Sequence, residues 1–384
     1  MPSSLLLKIS VLSLLNLASS LPTTIFHDNT RTCQEYIIPI TTTTVEAIPA
    51  FQPFRDNFDV VDFVNQIAAR DAAKSFAPFS GTRNATHSYD ISGTICWPTV
   101  QTEQAKTILL ATPGLGFDKR YWDIQMNAEE YSFVDYAISR GYSVFFYDRL
   151  GTGLSSKVSG YDGAQASTHL AILKQLSVLL RSGQYTGGVG KPSKLAHVGH
   201  SFGSFLSQGL ITQNPELSDG ALFTGLAWDS SSQPPALESM GLRIANTQSE
   251  GRWVGLDNQY LTSGDIAGNA AFFFHGDSYD KQMLWYSDSV AQPLAIIELL
   301  TLTTLITGPS KFHGPVMVIS GEFDFPLCGG NCTDTLRGPA ELFFSNATDL
   351  QTVVHPKTGH AINYSFNATG AYAVMLDYLH KHQV

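Results

Sequence analysis

A chain of 384 residues that is 43% hydrophobic and 15% charged can bury one large α/β core with an insertion, or two domains. Its formal net charge of −10 and its lack of any clustered basic stretch argue against nucleic acid and anionic membrane surfaces as partners.

Residues 1–20 carry one lysine, Lys8, in a leucine-rich run that ends in Ala18-Ser19-Ser20. This is the pattern of a secretory signal peptide cleaved near Ser20 or Leu21. An anchor helix is the weaker reading, because the uninterrupted apolar part is short for a bilayer span. Five N-x-S/T sequons, at Asn84, Asn331, Asn346, Asn363 and Asn367, agree with passage through a glycosylating compartment. Four cysteines, Cys33, Cys96, Cys328 and Cys332, are even in number and allow three pairings. We expect Cys33 with Cys96 and Cys328 with Cys332, since the second pair closes a tight Cys-Gly-Gly-Asn-Cys loop. Zinc is disfavoured because no second ligand pair has suitable spacing.

Beyond the leader, residues 33–40 suit an early strand and 41–53 a connection marked by threonine and proline. Within 56–74, Phe58, Val61, Phe63, Val64, Ile67 and Ala68 recur at helical spacing, which predicts an amphipathic helix without chemistry. Residues 88–97 alternate as a strand does, and 107–111 are a short apolar strand. Thr112-Pro113-Gly114-Leu115-Gly116 follows directly, a glycine-rich turn able to present inward N–H groups. A helix over 134–140 leads to a buried strand over 143–147. Asp148-Arg149-Leu150-Gly151-Thr152-Gly153 comes next and lacks any phosphate-binding glycine pattern, so Asp148 and Arg149 are read as structural. A helix is expected over 164–181.

The most informative stretch is Leu195-Ala196-His197-Val198-Gly199-His200-Ser201-Phe202-Gly203-Ser204. An apolar strand runs into G-x-S-x-G and then into a helical pattern, which is the signature of a nucleophile elbow with an exposed serine. Side chains at Gly199 or Gly203 would collide with neighbouring elements, and the Phe202 N–H at the helix start is free to meet an oxyanion. Residues 221–227 read as a further strand ending at Trp228-Asp229. The rhythm breaks over 230–309, a stretch rich in aromatics with an apolar run at 290–306 interrupted by Glu298; this reads as a cap. The sheet resumes at 315–320, delivering Gly321-Glu322-Phe323-Asp324. A last strand at 350–355 delivers Gly359-His360, and a helix over about 368–382 closes the chain. Apolar strands alternating with helices predict an α/β fold, with a mostly parallel sheet covered by helices on both faces and a helical cap inserted before the late strands.

A serine needs a base, and the base needs a carboxylate to fix its tautomer. The chain order Ser201, Asp324, His360 is the order found in α/β-hydrolases. The chain resembles that superfamily from about Ser88 onward. Within it, Gly116-Phe117-Asp118-Lys119-Arg120-Tyr121-Trp122, Asp148-Arg149-Leu150-Gly151-Thr152-Gly153 and Ile91-Ser92-Gly93-Thr94-Ile95-Cys96 are similar to secreted fungal esterase- or lipase-like hydrolases. The resemblance implies Ser201 as nucleophile, His360 as base, Asp324 as its orienter, and the backbone N–H groups of Leu115 and Phe202 as the oxyanion hole. Relatives usually carry His-Gly where this chain has Pro113-Gly114. Asp229 is the alternative acid, His200 and His355 are read as local packing residues, and Glu322 as a turn carboxylate.

The expected organisation is a signal peptide over 1–20, a core over 21–229 with an N-terminal extension, a cap over 230–312 and the rest of the core over 313–384. The expected function is a secreted serine hydrolase acting on an apolar small-molecule ester, with no cofactor, no metal and no stable membrane span. Its rivals are an aminopeptidase using Glu238, Glu250 or Asp277 to hold an amine, a lactonase or acyltransferase on the same triad, and a non-enzymatic ligand-binding protein.

Overall fold

The computed structural model describes residues 24–27, 30–249 and 251–384. The expected signal peptide and Glu250 lie outside them.

Twelve strands form two sheets: β1 (Thr24–His27), β2 (Arg31–Pro49), β3 (Phe79–Pro98), β4 (Thr107–Thr112), β5 (Ser143–Tyr147), β6 (Lys194–His200), β7 (Gly220–Thr224), β8 (Arg243–Ile244), β9 (Tyr260–Thr262), β10 (Leu294–Ala295), β11 (Val316–Gly321) and β12 (Leu350–His355). The large sheet has the order β1-β2-β3-β5-β4-β6-β7-β11-β12. From β5 to β12 every pairing is parallel, whereas β1, β2 and β3 join antiparallel.

The inner parallel strands β4, β5, β7 and β11 are buried along their whole length because both faces are covered. Ile108 and Leu110 of β4 enter one core cluster, and Leu109 and Ala111 enter the other. Likewise Phe145 and Tyr147 of β5 face one side while Val144 and Phe146 face the opposite one. Helices Ala166–Arg181 and Phe202–Gln213 bury Leu173, Leu176, Phe205 and Leu206 in one cluster. Helices Phe133–Ser139 and Ala368–Lys381 bury Phe133, Ala137, Tyr372 and Leu376 in the other. Each such fully buried side chain stabilises the fold by ~1.5–3 kcal/mol.

The N-terminal part differs from expectation. The threonine-rich residues read as a connection continue β2 to Pro49, in register with β3. Thr42, Thr44 and Glu46 turn inward, while Thr41 and Thr43 pair across the ladder with Ser88 and Thr86 at 2.7 and 2.8 Å. The threonines alternate between faces and suit a pleated surface, which outweighs the turn signal of the prolines. Cys33 lies directly opposite Cys96 in this ladder and is bonded to it. The second disulfide joins Cys328 to Cys332.

Between β7 and β11 the chain leaves the sheet. Residues 230–312 form helices Gln233–Ser239, Ile266–Phe273, Lys281–Val290 and Ile296–Thr301, together with the small antiparallel sheet β8-β9-β10. Strands of two or three residues carry too little alternation to be seen in sequence. The apolar run at 290–306 divides into β10, the helix Ile296–Thr301 and a 3₁₀ turn, Leu302–Leu305. Among the described residues no helix is long and apolar enough to cross a membrane.

Candidate active site

Parallel strands aim their carboxyl ends at one rim, where loops from several strands can meet. Ser201 follows β6, Asp324 follows β11, His360 follows β12, and Gly114-Leu115 follow β4. Ser201 has φ 53° and ψ −120°, a strained conformation for a residue with a side chain. The tightness of the turn explains its glycines. A Cβ on Gly199 would lie 2.5 Å from Ser204 Cα, and one on Gly203 would lie 2.1 Å from the Thr112 carbonyl oxygen. Ser201 itself caps the N-terminus of helix Phe202–Gln213.

His360 Nδ1 lies 2.6 Å from Asp324 Oδ2, and the two residues are 1% and 0% exposed. A pair this close and this dry leaves the imidazole one hydrogen-bonding arrangement, with Nδ1 committed to the carboxylate and Nε2 free. Asp324 is itself held: its Oδ1 accepts from the Leu327 N–H at 3.0 Å, and its carbonyl accepts from Cys328 and Gly330. The Cys328–Cys332 disulfide closes this same loop, and the Cys332 N–H donates to the Glu322 carbonyl at 2.9 Å.

Ser201 and His360 line one cavity of about 240 Å³. Its walls are apolar, with Leu115, Phe205, Leu237, Phe272, Leu299 and Leu327 among them. Phe202 also reaches the cavity, and among the described residues neither its N–H nor that of Leu115 donates to a backbone acceptor. The structure thus brings Ser201 and a carboxylate-bonded imidazole to one apolar cavity, with Leu115 and Phe202 in its wall.

Other candidates fall elsewhere. Asp229 is exposed, and its carboxylate accepts from the Ser231 N–H at 2.9 Å, whereas the carboxylate bonded to the His360 imidazole is that of Asp324. His200 is buried beneath Tyr121, with ring centroids 4.4 Å apart; burial, aided by nearby His360, pushes its pKa well below the usual histidine range. His355 Nε2 lies 2.9 Å from the Asn367 carbonyl, and Glu322 Oε2 accepts from the Lys357 N–H at 2.8 Å. Glu238 and Asp277 are exposed, and among the described residues no carboxylate lines the cavity. Asn84, Asn331, Asn346 and Asn367 are exposed. Asn363 is 0% exposed and donates its side-chain amide to the Tyr121 carbonyl at 3.0 Å, so it cannot carry a glycan in the folded chain. Among the described residues no group of His, Cys, Asp or Glu is arranged to hold a metal ion.

Sequence reasoning missed one cluster beside the site. Arg149, Glu298 and His169 are 0%, 1% and 2% exposed. Arg149 Nη1 pairs with Glu298 Oε1, which also lies 3.0 Å from His169 Nε2, while Glu298 Oε2 accepts from the Ala295 N–H at 2.8 Å. Burial works to raise the Glu298 carboxyl, but Arg149 and His169 overcome it and hold it below the usual glutamate range. The only signal in sequence was one acid interrupting the apolar run at 290–306.

Fold and rim geometry define an α/β-hydrolase. The model of the alpha/beta hydrolase family matches residues 108–371, more than half of the chain, and the chain belongs to that family. A carboxylesterase structure from Nitrososphaera gargenis superposes with a TM-score of 0.51 at 14% identity, covering 77% of this chain and 96% of its own. A thermophilic esterase from Thermogutta terrifontis gives 0.48 at 15% identity, covering 77% and 95%. No curated protein matches the sequence.

Proposed function

We propose that this chain is a secreted serine hydrolase that cleaves carboxylic esters with an apolar acyl or alcohol part through an acyl-enzyme. One observation carries the reading: His360, bonded to buried Asp324 at 2.6 Å, shares an apolar cavity with the strained Ser201. In this mechanism His360 Nε2 takes the Ser201 proton as the hydroxyl oxygen attacks the ester carbonyl. The Leu115 and Phe202 N–H groups stabilise the tetrahedral oxyanion, each by ~3 kcal/mol. His360 then gives the proton to the leaving alcohol, and water resolves the acyl-enzyme by the same steps in reverse.

Residues 230–312 serve as the cap: Gln233, Leu237, Phe272, Leu299 and Leu300 contribute cavity wall from that segment. Secretion is supported by the leader pattern, the two disulfides and four exposed sequons. The absence of a carboxylate from the described cavity wall weighs against an aminopeptidase, which has to hold an ammonium group. A lactonase or acyltransferase would use the same residues.

The test is a panel of p-nitrophenyl esters of rising chain length beside aminoacyl anilides. An apolar wall that buries each added methylene for ~0.8 kcal/mol predicts kcat/KM rising through short and medium chains, with negligible anilide turnover. Faster cleavage of an aminoacyl anilide than of any ester would overturn the ester reading.

A further inference from the structure

Leu115 offers its N–H from a turn, not from a helix start, so something else must hold that peptide in place. The Gly114 carbonyl and the Leu115 N–H belong to one peptide unit, and a trans peptide points the two in opposite directions. Whatever binds the carbonyl from behind therefore aims the N–H forward. Arg149 Nη2 donates to the Gly114 carbonyl at 3.0 Å, and the same guanidinium lies 5.1 Å from the Phe202 ring centroid. One buried cation thus contacts the peptide unit that carries the Leu115 N–H and the side chain of Phe202.

The guanidinium is fixed in turn by Glu298, in the first turn of helix Ile296–Thr301, and this helix continues into Leu299 and Leu300 of the cavity wall. The stretch leading into this helix holds the turn two peptides further on, where the Gln292 N–H donates to the Gly116 carbonyl at 2.9 Å. Leu115 is therefore bracketed by Arg149, itself paired with Glu298, on one side and by Gln292 on the other.

We propose that Arg149, held by Glu298, is a positioning residue for the oxyanion hole: it aims and polarises the Leu115 N–H through the Gly114 carbonyl, so that the cap segment sets the strength of the hole. This rests on the serine-hydrolase reading. It predicts a defect specific to the charge that develops on the carbonyl oxygen, with binding of the ground-state ester left nearly intact.

The experiment compares an oxoester with its thionoester, in which sulfur replaces the carbonyl oxygen and accepts hydrogen bonds poorly. Arg149→Met alone would strand a buried carboxylate, so it is combined with Glu298→Gln, which keeps an acceptor for the Ala295 N–H. Arg149→Lys is the second variant, retaining the charge and the pairing with Glu298 but not the planar fork that reaches two partners. In the wild type the oxoester is preferred by ~10²-fold or more, given that one lost donor lowers kcat ~10²–10³-fold. In the double variant the preference is expected to collapse at least tenfold, through oxoester kcat with KM within threefold, and Arg149→Lys is expected to fall between. An unchanged preference in a folded variant, with both esters slowed alike, would overturn the proposal; loss of the fold in both variants would assign the pair to stability alone and overturn it too. Wild-type protein that cleaves neither ester would instead end the hydrolase reading.

Discussion

In the proposed mechanism the hydrogen bond between His360 Nδ1 and Asp324 Oδ2 decides which imidazole nitrogen is left to act as base. An asparagine at 324 keeps an oxygen for the Leu327 N–H but offers the imidazole a neutral amide, which permits the wrong tautomer. Asp324→Asn is therefore expected to lower kcat by ~10⁴-fold with KM little changed and unaltered circular dichroism. Asp229→Asn, on an exposed carboxylate that accepts from the Ser231 N–H, is expected to leave kcat at the wild-type level. Steady-state kinetics on one p-nitrophenyl ester reads both; equal loss in the two variants would contradict the assignment. These residues were legible in sequence because each stands at a turn directly after an apolar strand. Arg149 was not: its acid is 149 positions away, and no local pattern announces a buried ion pair.

Among the elements, β6 leads directly into Ser201 and buries a titratable group that the proposed chemistry does not use. His197 is fully buried between the Ser177 and Ser218 hydroxyls, at 2.9 and 2.8 Å, and burial, followed by the nearby charge of Arg181, pushes its pKa down to about 3. In the unfolded chain the same imidazole takes a proton near pH 6.5. Between those values the unfolded state binds more protons than the folded one, so stability falls as pH drops from about 6.5 toward 3. One such histidine contributes as much as ~1.4 kcal/mol per pH unit, and His200 acts in the same direction. Urea unfolding across this window is expected to show the slope, and His197→Gln to flatten it; an identical slope in the variant would contradict it. The parallel strands were readable from apolar runs alone, since covering on both faces removes alternation. The extension of β2 was not, because its threonines and prolines are also turn residues.

At the scale of the whole molecule, distant stretches of chain converge on one rim. The family could be read before any coordinates, as could the placing of Ser201, Asp324 and His360 after successive strands, since strand order and chain order are linked in this fold. The cavity wall could not, because residues from 230–312 pack through contacts that no periodicity encodes. The buried Asn363 shows the same limit, as a sequon records sequence and not exposure. Every functional statement above depends on Ser201 being a nucleophile made reactive by His360 and Asp324. The most direct measurement is intact-mass and peptide mapping after exposure to a fluorophosphonate. A single adduct on Ser201 in the wild type, absent from Ser201→Ala and formed at least a hundredfold more slowly in His360→Ala, is the result expected. No adduct on folded wild-type protein, or equal labelling of Ser201→Ala, would contradict the account.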